Sequence, residues 1–253
     1  MRFPTINQRL ASTALALLLT ATSVRAERRE FVFEVDVRVD NTGVVTKADV
    51  IAEITPEFEA TLVKMVRSWK FQPGTRGGTP AVVDTSLSAK VIVDINEGKS
   101  ATVVARYTGH GPRYLQVFPP VYPERGMRRG VQGEIILLGE IAPNGSTKTL
   151  SVHAAHVRGG KFAANLLSKS AMDAVRNWRF KPERIDGIAV GGRVLIPVMF
   201  SLHNGPVELE TIIAPPAEDA ARTAALKSAT EGTHALALEN STGLEFISDD
   251  SQG

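Results

Sequence analysis

Two stretches of this chain nearly copy each other. Val66-Arg67-Ser68-Trp69-Lys70-Phe71-Gln72-Pro73 returns 109 residues later as Val175-Arg176-Asn177-Trp178-Arg179-Phe180-Lys181-Pro182. The chain has only 2 tryptophans, and both occupy the same place in this octet. A repeated octet of this kind marks a repeated structural unit, so the chain is expected to contain two copies of one small fold.

Each octet ends a stretch with the same plan. Phe31, Phe33, Val35, Val37 and Val39 alternate with Glu34, Asp36 and Arg38, the pattern of a half-buried strand. Asp40-Asn41-Thr42-Gly43 is a turn, and Val44 to Val50 a returning strand. Thr55-Pro56 supplies a capping hydroxyl and a first-turn proline. Phe58, Leu62, Met65, Val66 and Trp69 then recur along one helical face, with Glu57 and Glu59 favouring the positive end of the helix dipole. Pro73-Gly74 stops the helix, and Thr85 to Ile95 closes the copy as a strand.

In the second stretch, Ile135, Leu137 and Ile141 alternate with Glu134 and Glu140, and Pro143-Asn144-Gly145 turns the chain. Leu150 to Val157 returns, and a helix is expected over Lys161 to Trp178 with an apolar face of Phe162, Leu166, Ala171, Ala174, Val175 and Trp178. Val194, Ile196, Val198, Phe200 and Leu202 make the closing strand. The offset between copies is 102 residues at Gly43 and Gly145 but 109 at the tryptophans, so the second carries seven more residues between turn and helix. The fold class expected is α+β, each copy a small antiparallel sheet packed by one or two helices. Trp69, Phe71, Trp178 and Phe180 are expected in the cores.

The N-terminus predicts export. Arg2 and Arg9 precede an apolar run, Leu10 to Val24, that ends Val24-Arg25-Ala26, the pattern of a signal peptide cut after Ala26. The run is shorter than the roughly 20 residues a spanning helix needs. The alternative is an uncleaved inner-membrane anchor facing the periplasm. Cysteine is absent, so no disulfide can staple either copy. With 43% hydrophobic residues, two independent cores are feasible. The formal charge of +2 conceals an asymmetry, because residues 204–253 hold nine acids against Arg222 and Lys227. That stretch, with Pro215-Pro216 and few large apolar residues, reads as a disordered acidic tail, with a weak helix at Glu218 to Ala229. Nothing in the charge pattern points to nucleic acid.

Residues 119–202 resemble the C-terminal domain of TonB, the energy transducer of Gram-negative bacteria. The resemblance rests on Pro120-Val121-Tyr122-Pro123, a helix-forming stretch to Arg129, Gly130-Val131-Gln132-Gly133-Glu134-Ile135, Asn144-Gly145, the octet around Trp178, and Val194-Leu195-Ile196-Pro197-Val198-Met199-Phe200. Residues 31–95 look like a degenerate copy without the lead-in motif Tyr122-Pro123. The implied organisation is a signal peptide (1–26), a degenerate TonB-C-like domain (27–95), a linker (96–118), a complete TonB-C-like domain (119–203) and the tail (204–253). The chain departs from the family's pattern in having no histidine in residues 1–26 and no long proline- and lysine-rich spacer.

Pro197 interrupts an otherwise apolar strand. Proline cannot donate to a ladder, so this strand is expected at a sheet edge with that position facing out. An exposed edge accepts a partner's strand through main-chain hydrogen bonds, or is blunted against pairing, here by Pro197 and Arg193. Arg193, Leu195, Pro197, Met199 and Ser201 are therefore the candidate partner-binding positions, and the resemblance implies an outer-membrane receptor or another envelope protein as the partner. A peptidoglycan-contacting structural module and a membrane-anchored transducer are the alternatives. Arg125, Arg128 and Arg129 cluster around one helical turn and read as a solvated face. His153 and His156 fall in a predicted strand, where residues three apart point to opposite faces, so no metal site is expected there. No Gly-x-Ser-x-Gly, nucleotide-binding loop or His-Glu-x-x-His occurs, and neither a cofactor nor enzymatic activity is expected.

Overall fold

The computed structural model describes residues 27–95, 101–202, 209–216, 236–237 and 242–249. The expected signal peptide (1–26) and the expected helix at 218–229 lie outside the described residues. The chain divides into two compact units, residues 1–109 with 243–253, and residues 110–242.

In the first unit the alternation at Phe31 to Val39 forms β1 (Glu27–Val39). It pairs antiparallel with β2 (Val45–Val50) across the Asp40–Gly43 turn. The Asp40 carboxylate caps that turn, accepting from Thr42 N at 2.8 Å and Val44 N at 3.1 Å. The hydrogen bond from the Thr42 hydroxyl, opposed by desolvation, holds the Asp40 pKa below its ordinary value. Helix α1 (Pro56–Ser68) starts where Thr55-Pro56 predicted, with the Thr55 hydroxyl accepting from Phe58 N. Its face of Leu62, Val66 and the following Trp69 is buried, with Phe58 and Met65 partly so. The octet continues into β3 (Trp69–Gln72), a short hairpin of β4 (Thr75–Arg76) and β5 (Thr79–Pro80), and the long β6 (Val83–Ile95). The sheet order within this unit is β2-β1-β6, with β7 (Ala101–Gly111) also pairing β6.

The second unit opens with β8 (Arg113–Gln116) and the five-residue α2 (Glu124–Arg128). Strands β9 (Gln132–Ile141) and β10 (Thr147–Arg158) form its hairpin. Helix α3 (Gly160–Val175) then leads into β11 (Arg179–Lys181), the small hairpin of β12 (Arg184–Ile185) and β13 (Ile188–Ala189), and β14 (Gly192–Phe200). Two later strands, β15 (Glu210–Ile213) and β16 (Leu236–Ala237), complete a five-stranded sheet of order β15-β10-β9-β14-β16. Each unit is thus a twisted antiparallel sheet with one main helix over it, the α+β class expected from the alternation and helix patterns.

The hydrogen-bonding frame of one unit recurs in the other at fixed offsets. Val39 pairs Val83 and Val35 pairs Leu87 on β1 and β6; Ile141 pairs Gly192 and Leu137 pairs Ile196 on β9 and β14. Phe71 N donates to the Gly43 carbonyl at 3.0 Å, and Phe180 N to the Gly145 carbonyl at 2.9 Å. Ala81 N reaches Gly74 O across the β4–β5 hairpin as Val190 N reaches Glu183 O across β12–β13, both at 2.9 Å. The seven extra residues of the second unit lengthen β10, which outruns β2 by six positions and there receives β15, and start α3 earlier than α1.

Three expectations are corrected. Residues 96–118 are not a plain linker: 101–111 and 113–116 are strands, because Val103, Ala105 and Tyr107 pack on the first core and Tyr114 on the second. Within 204–253, β15, β16 and β17 (Glu245–Asp249) are ordered strands, held by main-chain pairing and by a few apolar side chains, Ile212 and Ile213 against the second core and Leu244 and Phe246 against the first. The buried stripe of α3 is Ala163, Ala164, Leu167, Ser168, Ala171 and Val175, whereas Phe162 is exposed and Leu166 and Ala174 only half-buried. Small residues let the helix lie close on β9 and β10, which rotates the bulkier flank outward.

Candidate edge strand and lead-in motif

Strand β14 is built by alternation. Val194, Ile196, Val198 and Phe200 face the core under α3, and the strand pairs with β9 in unbroken register from Gly192↔Ile141 to Phe200↔Gly133. Leu195, on the opposite face, is fully buried with Ile136 and Ala154 in a separate small cluster. Its other edge is paired, among the described residues, only by β16, at Val194↔Ala237 and Leu195↔Leu236. Pro197 sits opposite Ile136 in this register. With no N–H to give, it fits a backbone position directed away from β9, and Leu195 and Met199 share that direction because main-chain groups alternate along a strand.

The other expected edge residues are placed as follows. Arg193 and Met199 are exposed, Met199 at 54%. Pro197 is half-buried, and Ser201 lies one residue beyond the end of the strand. Past it, Leu202 N donates to the Gln132 side chain at 2.9 Å. Among the described residues, no strand pairs this edge over the four residues Ile196 to Met199.

The lead-in motif lies at a different place. Tyr122 packs edge-on against Phe200, with ring centroids 5.6 Å apart, and its hydroxyl donates to the Val131 carbonyl. It thus ties the segment before α2 to the far end of β14. Pro123 caps α2 in extended conformation, and Gly126 N and Met127 N both donate to its carbonyl. Burial raises the Tyr122 pKa above its ordinary value. A raised phenol pKa means that the folded state holds a proton the unfolded chain has lost, so this contribution is complete below about pH 10 and disappears as pH rises through the folded pKa. Urea unfolding between neutral pH and pH 11 should show stability falling in that window, and Tyr122→Phe should flatten the fall; an unchanged slope would place the phenol in water.

Trp178 lies at the end of α3 with its indole N–H donating to the Phe118 carbonyl at 2.8 Å and its ring edge-on to Tyr114 at 5.4 Å. Phe180 is buried beside the same Tyr114 at 5.1 Å. In the first unit Trp69 and Phe71 are likewise buried. All four octet aromatics are therefore core residues. Arg128 pairs loosely with Glu124 at 3.6 Å, and Arg129 lies over the Phe162 ring at 4.7 Å. His153 and His156 are buried on β10, with His156 Nδ1 2.9 Å from the Thr211 hydroxyl. No group of three metal-ligating side chains occurs among the described residues. Among these residues no helix is long and apolar enough to cross a membrane.

Sequence patterns did not reveal a groove of about 460 Å³ between the 118–123 segment and α3, lined by Phe118, Val121, Pro123, Leu166, Ala174 and Asn177. The one available signal was the outward helix flank, which helical periodicity assigned to the core.

A family model described as "Gram-negative bacterial TonB protein C-terminal" matches residues 119–202. The Protein TonB of Xanthomonas campestris pv. campestris is 40% identical over 86 residues, which are 34% of this chain and 35% of that protein. Protein tonB2 of Pseudomonas aeruginosa is 31% identical over 90 residues, 36% of this chain and 31% of that protein. The chain thus spans about a third of the length of these curated relatives. A solution NMR structure of the Pseudomonas aeruginosa TonB CTD aligns with 38% of this chain and 90% of its own, at 22% identity and a TM-score of 0.30. On the family match and the aligned relatives, residues 119–202 of this chain are a domain of the TonB C-terminal family.

Proposed function

We propose that this protein is a periplasmic, non-enzymatic binding module that recruits an extended segment of an outer-membrane receptor, or of another envelope protein, by strand addition to β14. The observation that carries this reading is the outer edge of β14 from Ile196 to Met199, which has no strand beside it among the described residues. The family match over residues 119–202 supports it. On this reading residues 1–26 are the export signal, and the first unit is a degenerate second copy of the same domain. The repeated octet, the shared register and the matching Gly43 and Gly145 turns support that duplication.

Strand addition draws on main-chain groups, so the side chain at Met199 is expected to matter less than its N–H. A photoreactive residue at Met199 should cross-link an outer-membrane protein in cells. Met199→Pro should leave the circular dichroism spectrum intact, because its N–H is not part of the β9 ladder, and should weaken capture about tenfold or more through one lost hydrogen bond and a steric block. Met199→Ala should retain capture. A folded Met199→Pro protein that captures the same partner undiminished would move recognition away from β14.

A further inference from the structure

The C-terminal strand β17 occupies, in the first unit, the place that β8 occupies in the second. β8 pairs antiparallel with β11: Lys181↔Arg113, Phe180↔Tyr114, then a shift to Arg179↔Gln116. β17 pairs antiparallel with β3: Gln72↔Glu245, Phe71↔Phe246, then a shift to Lys70↔Ser248. The octet offset of 109 carries Gln72, Phe71 and Lys70 onto Lys181, Phe180 and Arg179, so both added strands have the same register and the same one-residue bulge. The bulged residue is an exposed aliphatic in each, Leu115 at 58% and Ile247 at 64%. The residue before it is an aromatic set against the octet: Tyr114 against Trp178 and Phe180, Phe246 against Trp69 at 6.1 Å and Phe71 at 5.6 Å. Two residues earlier, Pro112 and Leu244 are both buried, and each follows a glycine, Gly111 and Gly243.

The contacts of β17 are those of a core element. Leu244 is fully buried in the first core, and the Phe246 ring stacks on Tyr107 at 4.7 Å and 13°. Yet this strand comes from the far end of the chain, about 175 positions from its partner Phe71. The sequence shows why. β8 precedes β9 with only α2 between them, and the offset of 102 would put its counterpart at Ala11-Ser12-Thr13-Ala14, inside the expected leader and without an aromatic.

We infer that the slot beside β3, walled by Trp69, Phe71 and Tyr107, is a peptide-binding site of the first unit. Its ligand is an extended Gly-Leu-Glu-Phe-Ile segment, supplied in cis by residues 243–247 and exchangeable with the same segment of a second copy of this chain. Leu244 and Phe246 supply the apolar contact on one face of the strand, and the main chain of β3 supplies the ladder. Tethering keeps the segment at an effective concentration of the order of millimolar, so the intact protein excludes a free copy of it.

The test uses the full chain with a protease site replacing residues within 222–230, cleaved after folding, and a fluorescent synthetic peptide of residues 241–251 as the probe. The cleaved C-terminal piece should stay with the body in gel filtration at micromolar concentration, and excess peptide should displace it, with anisotropy rising in the cleaved protein and not in the uncleaved one. With F246A the cleaved piece should be lost and the vacated protein should take up the wild-type peptide. Loss of the wild-type piece at cleavage, or retention that excess peptide does not reverse, would overturn the inference. Retention of the F246A piece equal to wild type would also overturn it. Mixing two uncleaved populations carrying different labels reads exchange between copies: formation of a labelled pair supports that arm, and its absence after prolonged incubation overturns it.

Discussion

Replacing Trp178 by alanine should destabilise the second unit by about 3–5 kcal/mol. The indole is almost fully buried where α3 ends, and its removal empties the space between the helix terminus, Tyr114 and Phe180. It also leaves the Phe118 carbonyl without the N–H that it accepts at 2.8 Å. The two losses add, since one is lost packing and the other a stranded acceptor. For a unit of this size a loss of that order lowers the melting temperature by at least about 12 °C. Trp69→Ala should act on the first unit through packing alone, because the Trp69 indole N–H has no hydrogen-bond partner among the described residues while its ring meets Tyr107 and Phe246 edge-on. Thermal melts followed separately by circular dichroism and by the fluorescence of the remaining tryptophan distinguish the two units. A melting temperature unchanged by either substitution would remove that indole from the core.

Gly145→Ala should destabilise the second unit by about 2–4 kcal/mol, and Gly43→Ala the first by a similar amount. Both glycines have positive φ, +80° and +86°. An added Cβ would lie 2.0 Å from the Phe180 carbonyl oxygen at Gly145, and 1.7 Å from that of Phe71 at Gly43. The obstacle is backbone, so no rotamer change relieves it. The turn must lift from the octet strand and give up the hydrogen bond between them. Gly187→Ala provides the control. Its φ is +76° but nothing lies within 4 Å of the added Cβ, so only the left-handed conformation is penalised, by about 1–2 kcal/mol. Urea titration of the three variants isolates the close approach. If Gly145→Ala proves no worse than Gly187→Ala, the turn and the octet strand are not held together in solution.

These turns explain why the octet repeats so faithfully. Phe71 and Phe180 each bury a ring while their own N–H groups reach back to the glycine carbonyl of the hairpin turn. The same four or five residues thus end a helix, fill a core and fasten a turn, and each task restricts them independently.

What the sequence by itself determined follows from short-range rules. The alternation from Phe31 to Val39 specified a strand with one buried face. Thr55-Pro56 specified a helix start, and the spacing of Leu62, Val66 and Trp69 its buried side. The octet and its two offsets placed corresponding elements in both units, and the motif order from Pro120 to Phe200 pointed to the TonB C-terminal family. The tertiary structure alone decided the rest. The true face of α3 depends on how closely Ala163, Ala164, Leu167 and Ala171 approach the sheet, which is a property of two surfaces and not of one helix. That β16 covers part of the β14 edge, and that β17 fills the slot beside β3 with Leu244 and Phe246 in the first core, depends on main-chain pairing and packing between segments far apart in the chain. Every non-proline residue carries the same N–H and C=O, so such pairing leaves little trace in side-chain pattern, and only the closed fold shows which strands meet.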